Sequence, residues 1–223
     1  MIRNGILESS RSKATYPTDG LVARYTFEDT IADQYSTNDL TVTAGQTAAY
    51  STTCKVGTKS FAYNGLMALQ VPSSLYYLAE GTHVFTISAW LYFGNAANSD
   101  CYNFYITQNS RTLSIGGAFH RLYSGTNAYC YLTTTLQKNQ WYHFVWLFDG
   151  TYMKQWLDGT QEGGNVSAGS APGVSWWGFG YMTAMWGIYG FSPSGNFIDA
   201  LYIYDKAISE SDIATLYNAG AGV

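Results

Sequence analysis

Charge is what this chain of 223 residues has least of: 12% of its positions are Asp, Glu, Lys or Arg, and the net charge is −4. So few charges do not support long solvated helices, and the acidic balance gives no electrostatic case for nucleic acid or an anionic membrane surface as partner. Long hydrophobic runs are also missing. Nothing approaches the ~18 uninterrupted apolar residues of a membrane-crossing helix. The first twenty residues, MIRNGILESSRSKATYPTDG, hold no apolar run longer than Ile6-Leu7, so no secretory leader is expected there. Cysteine is sparse and odd in number: Cys54, Cys101 and Cys130. At least one is unpaired within a monomer; Cys101 and Cys130 either meet on neighbouring strands or stay free, and free thiols in a reducing compartment are the expectation. No HExxH, CxxC, phosphate loop or nucleophile elbow is present. His83, His120 and His143 stand isolated, and His143 falls on an apolar strand face, where a hydrogen-bonded core histidine is expected rather than a base.

What the chain has is aromatic area and turns: 17% aromatics, 20 Tyr and 23 Gly, with 47% hydrophobic residues overall. That composition favours strands joined by tight turns. Residues Trp141 to Thr160, WYHFVWLFDGTYMKQWLDGT, organise the rest. Asp149-Gly150 and Asp158-Gly159 both read as hairpin turns of type I′, because Gly takes positive φ freely and Asp tolerates it. Before Asp149, Tyr142, Phe144, Trp146 and Phe148 alternate with His143, Val145 and Leu147. Both faces are apolar, which requires cover on both sides and implies a second sheet stacked on the first.

In chain order, residues 1–19 read as a polar arm ending in Pro17-Thr18-Asp19-Gly20, and residues 20–223 as one domain. The arm is either a frayed tail or an extended segment that docks on a neighbouring subunit. Strands are expected at Leu21–Phe27, Leu40–Val42, Lys55–Gly65, Ala68–Pro72, Phe85–Phe93, near 102–108, 112–119 and 128–134, in the central hairpin, at Trp176–Gly180 and at Asp199–Tyr204. One helix is expected after Ser209, with Ser209 and Asp212 as a capping box, Ile213, Leu216 and Tyr217 as its apolar stripe, and Gly220 as C-cap. The fold class is therefore all-β: an antiparallel two-sheet sandwich with one short C-terminal helix.

Five segments in order, GLVARYTFEDT (20–30), VGTKSFAYNG (56–65), FTISAWLYF (85–93), WYHFVWLFDGTYMKQWLDG (141–159) and FIDALYIYDKAISESDIATLYNAG (197–220), resemble the laminin-G-like branch of the concanavalin A-like jelly-roll domains. The resemblance implies two curved antiparallel sheets with first and last strands adjacent. It does not imply one activity, since members include lectins, adhesion modules, structural domains and glycosidase-associated modules. Glycosidases on this fold carry two carboxylates at alternate positions of one strand. No such run exists here, and the chain is expected not to be an enzyme.

Two sets of residues are candidates for binding. Glu28, Asp29, Asp33 and Asn38, with Asp39, cluster after the first strand, and Asp199 approaches them if first and last strands pair. Family members often bind calcium there, and calcium takes six to eight oxygens; the rival reading is a turn whose side chains bond their own backbone. The second set is the glycine-rich aromatic stretch from Val174 to Phe197, with Trp176, Trp177, Tyr181, Trp186, Tyr189 and Phe191. It suits either a protein interface or a sugar platform. The leading expectation is a non-catalytic structural or adhesion protein of a virion or large surface assembly, such as a bacteriophage capsid decoration, head fibre or tail adhesin. It would be held by its arm to capsid or tail proteins, as a homo-oligomer, without membrane insertion. The alternative is an extracellular carbohydrate-binding lectin that recognises surface glycans, with or without calcium.

Overall fold

The computed structural model describes residues 15–42, 45–63, 68–79, 81–94, 104–108, 111–115, 121–123, 129–167, 178–180 and 195–223, with backbone alone at 79, 104–108, 111–115, 121–123, 129–130 and 178–180. Fifteen strands and one α-helix follow among the described residues. They are β1 (Leu21–Tyr25), β2 (Thr41–Val42), β3 (Tyr50–Ser51), β4 (Ser60–Ala62), β5 (Ala68–Gln70), β6 (Phe85–Phe93), β7 (Phe104–Gln108) and β8 (Arg111–Ile115). Then come β9 (Arg121–Tyr123), β10 (Tyr129–Tyr131), β11 (Gln140–Phe148), β12 (Tyr152–Leu157), β13 (Thr160–Ser167), β14 (Gly178–Gly180), β15 (Phe197–Tyr204) and α1 (Glu210–Tyr217). No described helix is long and apolar enough to cross a membrane.

Eight strands form the large antiparallel sheet in the order β13-β12-β11-β6-β15-β4-β3, with β1 also on β15. First and last strands therefore pair, Tyr25 opposite Leu201 and Leu21 opposite Tyr204. β4 and β1 share one edge of β15, β4 at Phe197-Ile198 and β1 from Leu201 onward. Between them β15 bulges: its register with β6 shifts between Asp199 and Tyr202, and Ala200 sits at φ +45.

The alternation of β11 sorts its side chains between two cores. Tyr142, Phe144, Trp146 and Phe148 join Phe27, Phe61, Leu69, Phe85, Phe93 and Leu201 in the main core. Val145 and Leu147 join Trp90, Trp156, Tyr202, Ile213 and Leu216 in the other. A second sheet covers the first face, as both apolar faces of β11 predict, but α1 and the chain ends cover the second. That second layer consists of β10-β9-β8-β7 and β14-β5-β2, with β14 alongside β7 and β10 alongside β13.

The two Asp-Gly turns differ. Asp158 (φ +49) and Gly159 (φ +77) form the two-residue type I′ turn between β12 and β13, with Leu157 opposite Thr160. At Asp149-Gly150 only Gly150 has positive φ. That loop is longer, Phe148 pairing with Met153, and the Asp149 carboxylate accepts the N–H groups of Thr151 (2.9 Å) and Tyr152 (2.7 Å). A side chain that caps the turn replaces the need for positive φ at its own residue. The capping box of α1 is present, Ser209 Oγ accepting from Asp212 N. The helix ends at Asn218, in the left-handed conformation with φ 48, two residues before the expected Gly220; Asn tolerates that conformation, and its N–H bonds the Ala214 carbonyl.

Candidate functional site

The acidic residues after β1 are organisers of backbone. Asp33 Oδ1 accepts from the N–H of Arg24 (3.0 Å) and Tyr35 (2.8 Å), and Oδ2 from Ser36 Oγ (2.7 Å) and Asn38 N (3.1 Å). Burial works to raise its carboxyl, but these donors outweigh burial and hold it below its ordinary value. Asp39 Oδ1 accepts from Asp33 N at 2.8 Å. Glu28 reaches away to the loop before β4, accepting from Thr58 N (2.8 Å), Thr58 Oγ1 (2.5 Å) and Lys59 N (3.2 Å). Asp29 is exposed and lies 3.6 Å from Lys59 Nζ. Asn38 donates to the Val22 carbonyl and accepts from Ser74 Oγ.

Asp199 is buried at the β15 bulge, where Oδ2 accepts from Lys55 N (2.8 Å) and Val56 N (2.9 Å) and Oδ1 from Ala200 N (2.8 Å). Burial pushes its carboxyl up to about 7, the three N–H donors pulling the other way. First and last strands do meet, yet these oxygens face hydrogen-bond donors, and among the described residues no three Asp, Glu, His or Cys side chains converge as a metal site. Calcium needs oxygens with lone pairs to spare; the residues present do not fit it.

His143 is in the core. Ser88 Oγ lies 2.8 Å from its Nε2, its ring packs on Trp90 (5.1 Å between centroids) and Tyr217 (5.9 Å), and Nδ1 is buried without a partner. Burial, with Lys55 adding repulsion, drives its pKa down to about 3, so the imidazole stays neutral at ordinary pH. Ser88 is fully buried beside it, and no substrate reaches this pair.

The second sheet differs in chemistry. Directly opposed residues of antiparallel strands share a face. The registers run Tyr105–Ser114–Arg121–Tyr131 across β7, β8, β9 and β10, and Thr107–Thr112–Tyr123–Tyr129 beside it. The intervening row is Ile106–Leu113–Leu122–Cys130. One face of the sheet thus carries Phe104, Ile106, Leu113, Ile115, Leu122 and Cys130, with the Gln108–Arg111 pair at its end, and the other carries tyrosine, threonine, serine and Arg121. Tyr131 fixes which is which: it is 48% exposed, while the next residue, Leu132, packs against the main core. None of β2, β5, β7, β8, β9, β10 or β14 contains an Asp or Glu.

Sequence reasoning missed this face. Its signal was the alternation of Tyr/Thr/Arg with Phe/Ile/Leu inside 104–131, legible only once the pairing was known. The aromatic candidates Trp176, Trp177, Tyr181, Trp186, Tyr189 and Phe191 lie outside the described residues. Their stretch is tied to the fold by β14, which pairs with β5, and by Phe197, whose ring lies 5.3 Å from that of Tyr92. Cys54 is free; Cys101 lies outside the described residues and Cys130 is described by backbone alone, so their pairing falls outside as well.

A family model described as the concanavalin A-like lectin/glucanases superfamily matches residues 67–214. Among curated protein sequences, none matches the chain. Solved structures do. Domain 4 of AbnA, an extracellular arabinanase from Geobacillus stearothermophilus in complex with arabinotriose, is 18% identical with TM-score 0.66, over 91% of this chain and 98% of that one. Trypanosoma rangeli sialidase is 16% identical with TM-score 0.65, over 90% of this chain but 33% of the sialidase. The binding domain of botulinum neurotoxin DC, in complex with rat synaptotagmin II, is 15% identical with TM-score 0.60, over 90% of this chain and 51% of that one. At these identities the likeness is one of fold.

Proposed function

Because this chain belongs to the concanavalin A-like lectin/glucanases superfamily, we propose that it is a non-catalytic carbohydrate-binding module whose ligand lies across the tyrosine-bearing face of β7–β10. The observation that carries the reading is the register that puts Tyr105, Tyr123, Tyr129 and Tyr131 on one face with Thr107, Thr112, Ser114 and Arg121. Flat aromatic rings cover the apolar faces of sugars, and hydroxyls beside them bond the sugar's own. None of the paired positions on that face is a carboxylate, whereas glycoside hydrolysis by the common mechanism needs two. Domain 4 of the arabinanase, the neighbour that this chain spans almost entirely, was solved with an oligosaccharide.

The test is a glycan array followed by calorimetry with the best ligand. Tyr131→Ala and Tyr123→Ala should each weaken binding about tenfold while leaving the melting temperature in place. Binding that survives both substitutions, or no glycan binding at all, would remove the reading.

Display on a virion or other surface assembly is a second proposal, compatible with the first. It is favoured by where the chain ends leave the domain. Tyr16 packs on Tyr202 (5.5 Å between rings), the Pro17 carbonyl accepts from Tyr204 Oη, and the Val223 carbonyl accepts from Tyr202 Oη. All of this lies on the helix-covered side of the large sheet, opposite the side that the second sheet covers. Limited proteolysis of residues 1–14, in isolated protein and in its assembly, separates an anchor (protected on assembly) from a tail (cut in both).

A further inference from the structure

We propose that the ligand of this face is an anionic glycan, whose carboxylate or sulfate is received at Arg121; this rests on the carbohydrate-binding reading above. Two independent observations lead there. The first is the distribution of acids. All fifteen lie outside residues 101–148 and 163–198, and those two acid-free stretches supply β7, β8, β9, β10 and β14, with β5 and β2, also without acids, completing the layer. In a chain of net charge −4, the strands of this sheet add no carboxylate of their own to repel an incoming anion.

The second is the register. Arg121 is in the interior of the row Tyr105–Ser114–Arg121–Tyr131, two residues from Tyr123 along β9, so it occupies the middle of the polar face. The other arginine of the layer, Arg111, opposite Gln108 at the end of β8, belongs to the alternation of Leu113 and Ile115 on the apolar side. An arginine amid hydroxyls and tyrosines, with no acid among the paired positions, has the composition of an anion receptor. Its guanidinium fork matches two oxygens of a carboxylate or sulfate, while tyrosines supply the stacking area for the ring that carries the group.

The experiment uses the full chain and a panel of uronate, sialylated and sulfated oligosaccharides, each paired with its neutral counterpart, titrated by calorimetry at constant ionic strength. An anionic member should bind about tenfold or more tightly than its neutral partner. Arg121→Gln should erase that difference, Arg121→Lys should keep part of it, and Arg111→Gln should leave it whole. Thermal melts of the three variants check that each is folded. Equal dependence on Arg121 for carboxylates and sulfates supports a receptor for either anion; dependence confined to one of them supports the inference and names that group as the ligand's. If neutral and anionic partners bind alike, or Arg121→Gln keeps the preference, the anion inference is overturned and the carbohydrate face stands. If no member of the panel binds, the underlying reading falls with it.

Discussion

The two sheets handle polar groups in opposite ways. Around the large sheet, carboxylates are committed to backbone: Asp33 to four donors, Asp199 to the loop before β4, Asp149 to its own turn, and Glu162 to Thr133 and Thr134, which ties β13 to the segment after β10. Such acids hold loops in place and have little left with which to bind anything else. The strands of the second sheet have no acid to spend in this way. Across β7–β10, hydroxyls and Arg121 stand in register on one face, while the other face is mainly apolar. In this protein, then, architecture and recognition draw on different residue types, and the position of an acid is a guide to structure rather than to a site.

That contrast is sharpest for substitutions. Trp146→Ala, which empties the main core under β11, should cost about 3–5 kcal/mol in chemical denaturation, enough to unfold a marginal domain. Asp33→Ala should cost about 1–3 kcal/mol, since it leaves the N–H groups of Arg24, Tyr35 and Asn38 unpaired. A chelator should not move the melting temperature of the wild type; a drop of several degrees with EDTA, restored by calcium, would break the assignment of these acids to backbone.

Asp199→Asn should cost a similar amount, but with a pH signature. A carboxyl raised to about 7 by burial contributes most to stability when protonated, below its unfolded value near 4, and loses that contribution as pH rises through about 7. Melts between pH 5 and 8 should therefore show the gap between wild type and Asp199→Asn narrowing as pH rises; a widening gap would mean that the three N–H donors, not burial, dominate. At the small end, Tyr131→Ala on the tyrosine-bearing face should change stability by no more than about 0.5 kcal/mol, and a large loss would place Tyr131 among the structural residues.

The fold was legible where the sequence is apolar on both sides of an alternation. Phe85–Phe93, Trp141–Phe148 and the last strand are central strands, and their patterns announce it. β13 was not legible, because TQEGGNVS has neither apolar alternation nor β-branched density; it is a strand because the Asp158-Gly159 turn feeds it onto β12. The acid cluster was visible as composition, but its donors come from Arg24, Lys55, Val56 and Thr58, and for Asp199 the partners are 144 and 143 residues away. No local pattern encodes those meetings. The tyrosine face failed for a related reason: four short strands become one surface only through pairing.

The position of β15 has a consequence for how the chain acquires its shape. This strand lies inside the large sheet, with β6 on one side and β1 and β4 on the other, yet it comes near the end of the sequence. Until residues 197–204 have left the ribosome, β6 presents one unpaired apolar edge and β1 has no partner strand. The nascent domain must hold two sticky borders apart until β15 emerges, and closure is a long-range event of the slow kind. A chain stopped just short of β15 would lose the seam that joins the halves of its sheet and expose both edges to its neighbours.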